Sequence, residues 1–367
     1  MSRYIPIGLV LCLFACSTSE WQGSEAGGGT GDGNGGDIAS SGDLGKSTDG
    51  IKGCDPKTFT LKQAPPADLY LVLDRSGSMA DPGTTAASTK WQELNDAVDF
   101  VLQQFESTIR FGLVMFPVDS LCQTSGPQVP VGVHQRTAVM SKLAAATPAG
   151  GTPTAAALNN AAQSLKDVGD LSAARFIILA TDGGPNCNYG LSAQPACSCT
   201  HATQDYCCTS YPGPCYSGHT CLDETHVLQV IKDLHDQQKI TPFVVGLEGS
   251  AEYKNLLEEM AKAGGAPQQG STAYYPASSK PELQAALQAI AGSVISCDID
   301  LGSAPEYPNK VLIYIDGKRV PRDGTKQNGW EYLDSSLTTI RLFGAACTTL
   351  QDGNKHTLTA TFACVVK

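Results

Sequence analysis

The chain has 367 residues, enough for one or two ordinary domains with a substantial buried core. Its 25 basic and 36 acidic residues leave a net charge of -11, which argues against a nucleic-acid partner and against electrostatic attachment to an anionic membrane surface. Fourteen cysteines pose a choice between disulfides in an oxidising compartment and metal or redox chemistry in a reducing one.

The N-terminus bears on that choice. Arg3 is followed by an apolar segment over residues 5–15, too short to span a bilayer. It ends Leu13-Phe14-Ala15-Cys16, which resembles a bacterial lipobox. The resemblance implies a lipoprotein signal peptide over residues 1–16 and lipidation of Cys16. It also implies a membrane-anchored location in the bacterial envelope, at the outer membrane or cell surface. An ordinary secretory signal is the competing reading. Residues 17–53 are dominated by Gly, Ser, Asp and Thr and cannot bury enough apolar surface to offset ordering entropy. They read as a flexible tether with an r.m.s. reach of about 35 Å.

The ordered part opens on Asp68-Leu-Tyr-Leu-Val-Leu-Asp74, whose unbroken apolar run reads as a strand buried on both faces. Residues 91–105 carry Leu94, Val98, Val101, Leu102 and Phe105 at helical spacing. A strand is predicted over 109–116, stopped by Pro117, and then an Ala-rich helical stretch interrupted at 147–154. Further strands are predicted over 175–180, 240–247 and 273–275. Helices are expected over 223–237, 251–263 and 282–294, the last started by Pro281. This alternation predicts an α/β fold with a doubly wound, Rossmann-like, mostly parallel sheet. Beyond Cys297 the pattern changes to short strands over 311–315, 330–333, 338–343 and 357–362, with Asp316-Gly317 as a hairpin turn. The expected division is therefore an α/β domain over 54–296, with a Cys-rich insertion over 183–223, and a small disulfide-containing β domain over 297–367.

Three loops carry oxygen donors at element ends. Asp74, Ser76 and Ser78 follow the first strand in Asp-Arg-Ser-Gly-Ser-Met; Thr152 stands in Gly-Gly-Thr-Pro-Thr; Asp182 stands in Thr-Asp-Gly after the 175–180 strand. Open α/β sheets place ligands at the carboxyl ends of their strands. Hard oxygen donors with little formal charge suit a divalent ion that keeps waters and an open position. The three segments together resemble the von Willebrand factor type A domain and its metal-ion-dependent adhesion site, over about residues 68–296. The resemblance implies that Ser76, Ser78 and Thr152 ligate Mg2+ (or Mn2+ or Ca2+) directly, while Asp74 and Asp182 act largely through bound water. It also implies a vacant position that accepts a carboxylate from a protein or other acidic ligand. Under-neutralised by hydroxyl ligands, the ion attracts an external anion.

The sequence departs from the family pattern after Asp182. The insertion holds Cys187, Cys197, Cys199, Cys207, Cys208, Cys215 and Cys221, and with Asp-Gly-Gly-Pro-Asn-Cys-Asn it resembles type A lipoproteins of myxobacteria, some of which act in surface adhesion and gliding. Seven is odd, and Cys122, in a loop at the same strand ends, makes eight. Cys54, Cys297, Cys347 and Cys364 complete twelve thiols for disulfides, with a bridge expected from Cys54 to the C-terminal unit and Cys297 as its suggested partner. Such a bridge would clamp the last helix, whose sliding can be coupled to ligand binding in the family. Zinc held by Cys197, Cys199, His201 and Cys207 is the alternative use of the cluster. No Gly-x-Ser-x-Gly elbow surrounds Asp74 to Met79 and no complete Gly-x4-Gly-Lys-Ser/Thr loop is present, so an enzyme is not expected. The reading is a non-enzymatic, metal-dependent adhesion or ligand-binding module of the envelope. A constitutive scaffold with a structural or empty metal site is the alternative.

Overall fold

The structure is a computed structural model, and it describes residues 57–169, 172–188, 191, 198, 200 and 220–362. Cys16, Cys54, Cys197, Cys199, Cys207, Cys208, Cys215 and Cys364, with His201, lie outside the described residues, as do the signal peptide and tether.

In chain order the elements are β1 (Lys57–Thr60), β2 (Lys62–Gln63), β3 (Asp68–Asp74), α1 (Lys90–Phe105), β4 (Arg110–Phe116), β5 (Val129–Gly132), α2 (Arg136–Ala145) and α3 (Thr154–Asp167). There follow β6 (Arg175–Thr181), α4 (Glu224–Asp236), β7 (Ile240–Leu247), α5 (Lys254–Ala263), β8 (Tyr275–Ala277) and α6 (Lys280–Ser293). The C-terminal part holds β9 (Asp298–Asp300), β10 (Val311–Ile315), β11 (Lys318–Val320), β12 (Gly329–Tyr332), β13 (Thr339–Phe343), α7 (Ala345–Leu350) and β14 (Leu358–Phe362).

Six strands form the central sheet in the order β5-β4-β3-β6-β7-β8. All its pairings are parallel except that of β5 with β4. All seven residues of β3 are buried, because both faces are covered. Side chains alternate across the strand: Leu69, Leu71 and Leu73 join the cluster containing α1 and α6, while Tyr70 and Val72 join the one containing α3, α4 and α5. This two-faced burial is the physical cause of the doubly wound architecture.

The remaining strands form two four-stranded antiparallel sheets, β1-β14-β10-β11 and β12-β13-β9-β2. Both contribute to one core around Trp330, with Leu61, Ile299, Ile313, Ile340, Leu342 and Ala360, so they pack as a small sandwich. Here the structure corrects the expected division. The sequence places residues 57–63 with the α/β part, yet β1 pairs with β14 and β2 with β9. The sandwich is thus built from both flanks of the α/β segment. The predicted turn at Asp316-Gly317 is present, with both residues at positive φ (49° and 77°), joining Ile315 to Lys318.

Two further expectations are corrected. The 273–275 strand is displaced to Tyr275–Ala277, where Pro276 is tolerated on the sheet edge beside β7. Cys297 is bonded to Cys347 on α7, not to Cys54. The Cys297 carbonyl accepts the Leu342 N–H at 3.0 Å, which brings α7 alongside. The clamp at the end of α6 is therefore local. Gln351 Nε2 donates to the Ile295 carbonyl (3.2 Å), and Gln104 of α1 donates to the Asp352 carbonyl (2.8 Å).

Candidate metal centre

The loop after β3 is shaped by its own side chains. Asp74 is buried, and its Oδ1 accepts the Ser76 N–H at 2.8 Å, turning the chain sharply as the strand ends. Its Oδ2 accepts the Thr181 hydroxyl from the end of β6 at 2.6 Å. A single turn of 3-10 helix follows at Gly77–Ala80, pinned by fully buried Met79. Ser76 Oγ and Ser78 Oγ lie 3.2 Å apart, and Ser78 donates to Asp182 Oδ1 at 2.9 Å.

Arg75, whose role the sequence left unassigned, ties the neighbouring loops to this one. Its guanidinium donates to three carbonyls: Pro117 and Asp119 in the loop after β4, and Thr147 in the loop after α2. The Arg75 carbonyl accepts the Ala149 N–H at 2.8 Å, and the Gly77 N–H reaches the Gly150 carbonyl at 3.0 Å. Burial pushes the guanidinium pKa down, which the nearby Asp119 charge partly opposes. Arg75→Ala should cost about 2–4 kcal/mol, because it strands three acceptors and loosens both loops. Chemical denaturation would measure that loss.

Thr152 is buried where α3 begins. Gly150 holds a φ of +84°, and a Cβ there would lie 2.4 Å from the Leu121 carbonyl oxygen, so this turn needs glycine. The insertion reaches Thr152 directly. Asn186 Oδ1 accepts the Thr152 N–H at 2.7 Å, and the Asn186 N–H returns to the Thr152 carbonyl at 2.9 Å. Next to it, Cys187 is bonded to Cys122, joining the insertion to the loop after β4. A Cβ on Gly151 would meet Cys187 Sγ at 2.5 Å, so the bare backbone there makes room for the disulfide. Cys221 is buried and also disulfide-bonded.

These loops line one cleft of about 770 Å³, with Ser76, Ser78, Thr152, Asp182, Asn186 and Tyr253 in its wall. Asp74 lies buried at the end of the adjoining strand. The structure thus brings four of the five predicted residues into one wall and hydrogen-bonds the fifth to Ser76 and Thr181. The cleft is acidic: Asp81, Asp182 and Glu252 line it, and Lys90 is the one basic residue among the described lining residues. Lys90, at the first position of α1, pairs with Asp182 Oδ2 at 2.8 Å. Burial and the neighbouring Asp182 charge push the Asp74 carboxyl from its ordinary 3.8 up to about 7. Burial, helped by Glu252, likewise raises the Tyr253 hydroxyl.

The donor set fits a small divalent cation. An octahedral shell of radius about 2.1 Å puts adjacent oxygens about 3 Å apart. The Ser76–Ser78 oxygen separation of 3.2 Å falls on that edge length, and Ser78 donates to Asp182 Oδ1 at 2.9 Å, which suits a carboxylate just outside the shell. Both Asp74 oxygens already accept hydrogen bonds, which suits a carboxylate acting through water. Among the described residues no cluster of three or more His, Cys, Asp or Glu side chains is arranged to hold a metal. The candidate centre depends on hydroxyls instead.

Residues 68–289, more than half of the chain, match the family model of the von Willebrand factor type A domain. The chain belongs to the von Willebrand factor type A family. Within this type A chain, the α/β sheet is the family fold, with β3 and β6 paired in parallel at its centre. No curated protein sequence matches it. Among solved structures it is similar to the pilus adhesin SpaC from Lactobacillus rhamnosus GG, with a TM-score of 0.46 and 17% identity, covering 83% of this chain and 40% of that one. The PilB minor pilin from Streptococcus sanguinis is similar with a TM-score of 0.44 and 19% identity, over 66% of this chain and 62% of that one. Manganese-loaded TRAP protein from Plasmodium vivax is similar with a TM-score of 0.42 and 18% identity, over 78% of this chain and 96% of that one. The type A chain spans 40% of the length of the SpaC adhesin.

Among the described residues, no helix is long and apolar enough to cross a membrane. Sequence reasoning missed Arg75, Lys90 and Asn186. Arg75 and Asn186 stand inside motifs whose signal comes from their neighbours, and Lys90 carries no local signal at all.

Proposed function

We propose that this type A domain is a non-enzymatic ligand-binding module that captures a carboxylate through a divalent cation. Mg2+ is the expected ion, with Mn2+ or Ca2+ as the alternatives. The observation that carries this reading is the packing of Ser76, Ser78 and Asp182 oxygens at 2.9–3.2 Å in the wall of an acidic cleft. Ser76, Ser78 and Thr152 would hold the cation, with Asp74 and Asp182 behind bound water. The cation would supply an under-neutralised positive charge at which an acidic group of a partner completes the shell.

The insertion supports a role in selectivity. Asn186, Thr200 and Thr220 line the cleft, and the Cys122–Cys187 disulfide staples this wall in place. A pre-ordered wall loses little entropy when a ligand docks. With Cys16 lipidated and residues 17–53 as a tether, the module would stand off a bacterial membrane, at the outer membrane or cell surface, as an adhesion lipoprotein. A constitutive scaffold with a structural or empty metal site remains the second reading, and the same assay separates the two. Envelope material should be retained by the immobilised protein in millimolar Mg2+ and released by EDTA. Retention that ignores EDTA and survives Ser78→Ala favours the scaffold.

A further inference from the structure

We infer that Lys90 is an internal counter-ion that competes with the divalent cation for Asp182 and so sets how tightly this site loads. The inference rests on the metal-binding reading above and adds a residue that the motif does not contain.

Three observations converge on Lys90. Its ammonium lies 2.8 Å from Asp182 Oδ2, with the side chains only 10% and 0% exposed, so the charge is held in the cleft wall rather than in solvent. Its position on α1 is otherwise a poor place for a cation. Lys90 begins the helix directly after the Thr89 cap, where the helix dipole presents its positive end. The backbone opposite leaves room for it: at Gly249, with a φ of +95°, a Cβ would meet Lys90 Nζ at 2.8 Å. Removing that glycine's freedom would push the ammonium off Asp182.

The charge arithmetic follows. Ser78 satisfies one Asp182 oxygen and Lys90 the other. The ion pair neutralises one of the two carboxylates that the cation would use. An opposite charge this close lowers a carboxylate's affinity for a proton by about one to three powers of ten. A divalent cation feels the same repulsion at least as strongly. The site is therefore built to load weakly, and to hold Asp182 in a neutral pair when no cation is present.

The test is isothermal titration of the purified chain with Mn2+ and with Mg2+, paired with thermal melts in EDTA. Lys90→Met keeps most of the stem and removes the charge; Lys90→Gln repeats this with a polar end; Lys90→Arg keeps the charge. Lys90→Met and Lys90→Gln should bind Mn2+ at least about tenfold more tightly than wild type, yet melt at lower temperature in EDTA. Lys90→Arg should stay close to wild type in both. If wild type binds Mn2+ and Ser78→Ala abolishes it, but Lys90→Met and Lys90→Gln bind no more tightly, the ion pair is merely structural and the inference is overturned. If neither wild type nor any Lys90 variant binds a cation, the metal-binding reading itself falls and takes this inference with it.

Discussion

Asp74→Asn should abolish divalent-cation binding and, at the same time, stabilise the cation-free protein at pH 8. The two effects have one cause. Asp74 is fully buried, and its carboxyl is raised from 3.8 to about 7 by burial and by the Asp182 charge. A folded-state value above the unfolded one means that the native protein binds the extra proton between those pH values. Stability then falls as pH rises from about 4 to about 7, since the slope follows the protons bound by the unfolded minus the native state. Above pH 7 the buried charge costs on the order of 4 kcal/mol, at about 1.4 kcal/mol per tenfold. Asparagine removes that cost and can still accept the Ser76 N–H. In EDTA at pH 8 the variant should therefore melt higher than wild type, and the difference should vanish near pH 4. Adding Mg2+ should reverse the order, because only the wild-type carboxylate gains from the cation. Equal melting of the two proteins at pH 8, with and without Mg2+, would contradict this account.

The second large effect belongs to the Cys122–Cys187 disulfide, which closes a loop across a sequence separation of 65 residues. Chain-entropy arguments assign a loop of that length about 4 kcal/mol of stabilisation. Removing both cysteines by alanine should lower stability by that order in urea denaturation. It should also weaken cation binding, since Asn186 beside Cys187 makes both hydrogen bonds to the Thr152 backbone. Asn186→Ala alone should reproduce the weaker cation binding with a much smaller loss of stability, of about 1–2 kcal/mol. A disulfide-free variant with wild-type cation affinity would show that the staple stabilises the fold without shaping the site.

Much of the fold was legible because buried parallel strands leave unbroken apolar runs. The strands at 110–116, 175–181 and 240–247 fall within a residue of where periodicity placed them. What was not legible depends on partners distant in sequence. Residues 57–63 precede the α/β segment in the chain, and only pairing with β14 and β9 makes them strands of the sandwich. The β5 strand, with Pro130 inside it, is an edge strand that among the described residues pairs with β4 alone, and it carries little apolar signal. The partner of Cys297 could not be read either, because α7 is a short helix with no strong pattern and it is the docking of α7 that presents Cys347.

The site divides the same way. Asp74, Ser76, Ser78, Thr152 and Asp182 could be read as candidates because three separate loops at strand or helix termini carry oxygen donors in the family's order. Arg75 and Lys90 act through atoms contributed by other loops, and no spacing along the chain reports that. The insertion shows the limit from the other side. Its cysteines announced disulfides, while the pairing of Cys187 with Cys122 follows from the crossing of two loops over Gly151.

The central claim is that one divalent cation sits among the Ser76, Ser78 and Thr152 hydroxyls. Crystals of the protein soaked in Mn2+ and measured for anomalous scattering test it most directly. The account predicts a single strong peak within coordination distance of those three side chains, absent from crystals of Ser78→Ala. A map with no peak at the ends of β3 and β6, or with its peak elsewhere, would contradict it.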